Sequence, residues 1–319
     1  MFFLGDKYMR YHSRGFTLIE LSIVLVIIGL IVGGVLVGQS LITSAAVRAQ
    51  VSQIEKYNTA VNTFRGKYGY LPGDIKDPDA SRFGFASRGQ YAGQGDGNGL
   101  IQGVDSNAAG NNDAWNSIGG ETGVFWNDLS TAKLIDGTFN TASITTTPAT
   151  DVTNVAAYLP QAKLGKGTYV YIWSGGAAGA AGGSAIQPGD GKNYFGLSDI
   201  SKIAGTGSGL PGQPYATFTL TPQEAYAIDK KIDDGFPQSG TALAEGITHN
   251  NPSACAWAIA GGGGCGTYNA TNGGPSTAAT PGSSSTCYDN NNVAGVTQKY
   301  SLTQNGGSNP ACVVSFQFQ

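Results

Sequence analysis

The chain has 319 residues, 40% of them hydrophobic and only 12% charged, with 49 glycines and a formal net charge of −3. That apolar fraction supports a real core and argues against a disordered chain. Scarce charge with abundant glycine suits turn-rich, weakly charged loops, and the lack of a basic block argues against nucleic acid as a partner.

Taken in chain order, residues 1–14 carry Lys7, Arg10, His12 and Arg14 and no apolar run of secretory-signal length. From Leu21 to Val47 no residue is charged. As a helix, that run would span roughly 40 Å, more than the ~30 Å hydrocarbon layer. The basic leader predicts a cytoplasmic start with the rest of the chain crossing outward. One carboxylate, Glu20, stands at the front of the run. An ionised carboxylate in a bilayer costs about 2.5–3.5 kcal/mol on insertion scales for Asp, so Glu20 needs either the interface or a cationic partner.

Gly15 followed by Phe16-Thr17-Leu18-Ile19-Glu20-Leu21 resembles the processing site of type IV prepilins and type II secretion pseudopilins. In that family a membrane peptidase cuts after the glycine and methylates the new N-terminal amine, here that of Phe16. The family's glutamate meets the N-terminal amine of a neighbouring subunit during assembly. The resemblance therefore pairs Glu20 with Phe16 of another copy. It implies a leader at 1–15 that is removed, a long helix at 16–71 (about 21–47 transmembrane) and an exported domain at 72–319. It also implies storage in a bacterial inner membrane, then a periplasmic or extracellular filament. The partners implied are the prepilin peptidase, like subunits, membrane lipid and an inner-membrane assembly platform.

No proline interrupts Phe16 to Leu71, and Val47, Val51, Ile54, Val61, Phe64 and Tyr68 form one apolar stripe at helical spacing. Arg48, Gln50, Gln53, Glu55, Lys56 and Asn62 fall largely off it. Pilins often carry a proline early in this helix; here Val37 has none nearby. Gly33, Gly34 and Gly38 are left either to loosen the helix or to let helices approach closely. Gly66, Gly69 and Pro72 are its expected end.

Residues 73–113 read as a long Gly/Asp/Asn/Ser loop, and Glu121 to Leu134 as a helix. Strands are expected at Thr168–Trp173, Asn193–Leu197, Tyr215–Leu220 and Cys312–Phe318, mostly rich in β-branched and aromatic residues. Thr221-Pro222-Gln223-Glu224 is a capping box with proline at the first helical position, so a helix starts there and stops by Gly235. The sum is an α+β fold, a long N-terminal helix packed on an antiparallel sheet with large loop insertions. "KYGYLPGD", "FWNDLSTAKLIDG" and "LTPQEAYAIDKKIDDGFPQSG" are similar to segments of larger prepilin-like proteins.

Cys255, Cys265, Cys287 and Cys312 lie in the last quarter, without metal-ligand spacing. They read as two disulfides of an oxidising compartment; three pairings exist, and Cys255–Cys265 with Cys287–Cys312 closes the smallest loops. By the resemblance, Cys287–Cys312 would match the surface disulfide loop of type IV pilins.

Asp96-Gly97-Asn98-Gly99 spaces oxygen donors like the front of a calcium loop, with Asp105 or Asn107 to close it. A glycine-rich turn with Asx hydrogen bonds is the competing account, and calcium is the one cofactor expected, if any. Asp229, Asp233 and Asp234 read as a solvated helix end whose local partner is Lys230, Lys231 or a cation. No nucleophile elbow or phosphate-binding loop is present, so no enzyme and no nucleotide site is expected. The expectation is a structural subunit of a type IV pilus or type II secretion pseudopilus. The alternative is a minor tip pilin acting as an adhesin or binding module, or a competence-type pseudopilin.

Overall fold

The computed structural model describes residues 15–89, 91–104, 117–175, 191–206, 212–247, 255–257, 268–269, 274–275, 287–289, 297, 299–302 and 310–318. Two compact units divide at Ala45 and Ala46, and helix α1 (Leu18–Tyr68) contributes to both. In the first unit the large apolar side chains from Phe16 to Ile42 are exposed. The helix is long and apolar enough to cross a membrane.

The second unit holds α1 from residue 46 onward, then α2 (Asp79–Arg82), α3 (Glu121–Thr131), β1 (Thr168–Ser174), β2 (Asn193–Ile203), β3 (Pro214–Thr217) and α4 (Pro222–Ile232). Short strands follow: β4 (Ala242–Leu243), β5 (Glu245–Ile247), β6 (Cys255–Trp257), β7 (Tyr268–Asn269), β8 (Gly274–Pro275), β9 (Tyr288–Asp289) and β10 (Lys299–Tyr300). β11 (Val314–Gln317) closes the series. The main sheet is antiparallel in the order β1–β2–β11–β4, with β3 paired to the far half of β2. β5–β6, β7–β8 and β9–β10 form separate two-stranded pairs.

The predicted stripe is the buried face: Val47, Val51, Ile54, Val61 and Phe64 enter the core together with Tyr57 and Ala60. Each valine, isoleucine or phenylalanine among them stabilises the fold by about 1.5–3 kcal/mol when fully covered. Tyr57 packs 4.9 Å from the Trp126 ring of α3 and 6.0 Å from Phe195 of β2. These contacts join helix to sheet and give the α+β, pilin-like layout that the expected elements predicted. Along the β1–β2 pair Tyr171 of β1 lies opposite Gly196 of β2. A Cβ at 196 would sit 2.2 Å from the tyrosine ring, so the glycine leaves room for the aromatic to lie across its strand.

Gln50 and Gln53 correct the stripe: both are buried rather than on its solvent side. Gln53 Nε2 donates to the Gln161 carbonyl at 2.9 Å and its Oε1 accepts from Lys163 N–H at 3.0 Å. Gln50 Oε1 accepts from Leu164 N–H at 3.3 Å. The two amides, themselves buried, thus find their partners in the backbone of 161–164, which lies against this face of the helix.

α1 stops at Tyr68, and Gly69 N–H closes its last turn on the Arg65 carbonyl at 2.8 Å. α4 begins as expected, with Thr221 accepting from Glu224 N–H and the Glu224 side chain accepting from Thr221 N–H. The expected strand at 215–220 is shorter, β3 ending at Thr217, while Leu220 makes a single bridge to Cys312.

Candidate functional site

Thr17 and Glu20 form a capping box at the start of α1. Thr17 Oγ1 accepts from Glu20 N–H at 3.2 Å, and Glu20 Oε2 accepts from Thr17 N–H at 2.8 Å and from Thr17 Oγ1 at 2.9 Å. Two N–H groups with no partner inside the helix are thereby satisfied, and a negative charge sits at the positive end of the helix dipole. The signal is present in the sequence as Thr-x-x-Glu, where it overlaps the processing motif. Phe16, one residue ahead, is 87% exposed. At Gly29, Gly33, Gly34 and Gly38 an added Cβ would meet nothing within 4 Å among the described residues, whose packing does not demand glycine there.

In the second unit, Asp74, Asp96 and Glu121 each offer a carboxylate oxygen within 4.8 Å of the other two. Asp74 follows Leu71-Pro72-Gly73 after α1, and Glu121 opens α3. Glu121 Oε1 accepts from Gly95 N–H at 2.8 Å and its Oε2 from Gln102 N–H at 2.8 Å. Asp74 accepts from Gly97 N–H at 2.7 Å and Gly99 N–H at 2.8 Å. The two buried acids thus gather the 95–102 turn about themselves.

Burial raises the carboxyl pKa of both Asp74 and Glu121, and mutual repulsion with Asp96 adds to it, while the backbone N–H bonds oppose it. A proton or a divalent cation relieves such a grouping, and these three residues could hold a cation. Asn98 is used otherwise: its Oδ1 accepts from Leu100 N–H and its own N–H reaches Asp96 Oδ1, the Asx pattern. Asp105 and Asn107 lie outside the described residues. Asp74 and Glu121 were missed because their approach to Asp96 is long-range.

A buried ion pair fixes this region to the core. Arg88 Nη2 lies 2.6 Å from Asp128 Oδ2 of α3, and Arg88 Nε donates to the Ile75 carbonyl at 3.0 Å. Asp128 also accepts from Gly73 N–H at 2.7 Å. Gly73 has φ +87°, and a Cβ there would fall 2.5 Å from the Glu121 carbonyl oxygen.

The aspartates at the end of α4 need correction. Asp229 is buried, accepting from Tyr300 Oη at 2.8 Å and Gly235 N–H at 3.0 Å. Asp233 accepts from Thr241 and Ala242 N–H, and Asp234 from Phe236 N–H and Ser239 Oγ. Their partners are backbone and hydroxyl groups, because the chain turns back over the helix end; Lys230 instead donates to Tyr226 Oη at 3.1 Å.

The Cys287–Cys312 disulfide is present, with Cα atoms 5.1 Å apart. Cys265 lies outside the described residues, and with it the expected Cys255–Cys265 bond.

No curated protein and no solved structure matches the chain. The prokaryotic N-terminal methylation motif matches residues 10–36, a span that contains Gly15, Phe16 and Glu20. The motif implies processing by a prepilin peptidase and assembly with other pilin subunits. The chain thus carries the type IV prepilin-like signature at the head of its apolar helix.

Proposed function

We propose that the chain is a structural filament subunit of a type IV pilus or type II secretion pseudopilus, cut between Gly15 and Phe16 and N-methylated on Phe16. The observation that carries this is the join of the motif at 10–36 to a helix whose large apolar side chains from Phe16 to Ile42 stay exposed. Such a surface suits lipid first and neighbouring helices afterwards. Glu20 has two successive partners in this reading. In the lone subunit it serves the Thr17 cap; in the filament the cationic amine of another copy's Phe16 takes over as donor. In dry surroundings a charged donor binds a carboxylate far more strongly than a neutral one.

The reading assigns the subunit no catalytic role. Co-expression with a prepilin peptidase tests it: the mature chain should begin at N-methylated Phe16, and Gly15→Leu should leave the leader attached. A chain that stays uncut, or starts elsewhere, contradicts the processing step.

The weakly charged 238–311 segment, bearing all four cysteines but Cys312, supports a second reading, a minor subunit at a filament tip. Stoichiometry in purified filaments separates the two. Calcium is proposed with a changed ligand set, Asp96 with Asp74 and Glu121 in place of Asn98 and Asp105. Millimolar calcium should raise the melting temperature of the wild type and leave Asp96→Ala unmoved; equal response in both removes the site.

A further inference from the structure

Two of the ties that fasten the β9–β10 hairpin to the rest of the second unit differ in chemistry. One is covalent: Cys287, just before β9, is bonded to Cys312, which leads into β11. The other is the hydrogen bond from Tyr300 of β10 to Asp229 of α4, with both side chains buried. Gln238 Nε2 adds a bond to Tyr288 Oη at 3.0 Å, and Ser301 N–H returns to the Cys287 carbonyl at 2.9 Å.

The groups facing Asp229 are acidic or phenolic. Asp233 and Asp234 come from the end of α4 and the turn after it, and Tyr300 from the hairpin, where Tyr288 in turn lies near Tyr300. Of the nearby cations, Lys230 is directed to Tyr226, while Lys231 and Lys299 are exposed. Tyr226 packs edge-on against Tyr300, with ring centroids 6.0 Å apart. Burial, aided by the two neighbouring aspartates, pushes the Asp229 carboxyl up to about 7, against the opposing bonds from Tyr300 and Gly235. Burial also holds the Tyr300 phenol well above its ordinary range, so it remains a donor.

We propose that the Asp229–Tyr300 pair is a pH-sensitive latch on the disulfide-bonded hairpin, held more firmly in mildly acidic than in alkaline surroundings. Closed, the carboxyl keeps its proton to about pH 7. Opened to water it would lose the proton near pH 4, the ordinary Asp value. The proton-linked stabilisation of the closed form is therefore complete below about pH 4, declines as pH rises and is gone above about pH 7. The disulfide limits what opening means: the hairpin loosens from α4 while Cys287 stays tied to Cys312.

Hydrogen exchange on the full chain in detergent micelles, corrected for intrinsic rates, reads the latch locally. A global melt would mix in the buried acids Asp74 and Glu121. Amide protection in segments containing 287–289 and 299–302 should fall about tenfold or more between pH 5 and 8 in the wild type. Asp229→Asn, close in size and never charged, should flatten that profile while β2 amides stay unchanged. Tyr300→Phe should lower protection yet keep the pH dependence, since the carboxylate remains. A flat wild-type profile, or the same slope in Asp229→Asn, overturns the latch.

Discussion

Replacing Arg88 with methionine tests how the loop after α1 is held. The guanidinium and the Asp128 carboxylate are both buried, 2.6 Å apart, and Arg88 also binds the Ile75 carbonyl. Removing the cation leaves Asp128 buried with Gly73 N–H as its partner. Breaking a buried pair from one side costs about 3–5 kcal/mol. For a domain of this size that lowers the melting temperature by about 10 °C. Arg88→Met combined with Asp128→Asn should recover much of the loss, because no lone charge then remains, and Arg88 Nη1 has no hydrogen-bond partner among the described residues. The assay is thermal unfolding of the four members of a double-mutant cycle. A loss under about 1 kcal/mol in Arg88→Met, the range of an exposed pair, refutes the reasoning.

Two further substitutions probe particular geometry. Thr17→Val removes the hydroxyl acceptor of the capping box and should destabilise the first turn of α1 by about 1 kcal/mol, seen as faster amide exchange at residues 18–21; unchanged exchange contradicts the cap. Gly73→Ala meets a positive φ and a Cβ position 2.5 Å from the Glu121 carbonyl oxygen. It should cost about 2 kcal/mol or more in thermal unfolding, and an unchanged melting temperature would mean that the loop moves aside freely.

The readily legible parts of this molecule were local. Spacing in α1 exposed the core stripe because a helix repeats its face every few residues. β-Branched and aromatic runs located β1, β2 and β11 because those side chains fill a pleated surface. Thr221 to Glu224 specified the start of α4 through bonds three residues apart.

What stayed hidden depends on residues remote in sequence. Gln50 and Gln53 look like solvent-side residues until the backbone of 161–164 is laid against them. Asp96 was visible inside a plausible calcium spacing, but Asp74 and Glu121, which approach it, come from other segments. Asp229 resembled a solvated helix end because its cover, Tyr300, arrives 71 residues later.

Glu20 is the residue at which the proposed assembly is most directly tested. In Glu20→Ala the mature chain should still begin at N-methylated Phe16, while sheared preparations from cells carrying the assembly machinery should contain few or no filaments. Wild-type yields of normal filaments from that variant would contradict the pairing of Glu20 with a neighbour's N-terminal amine.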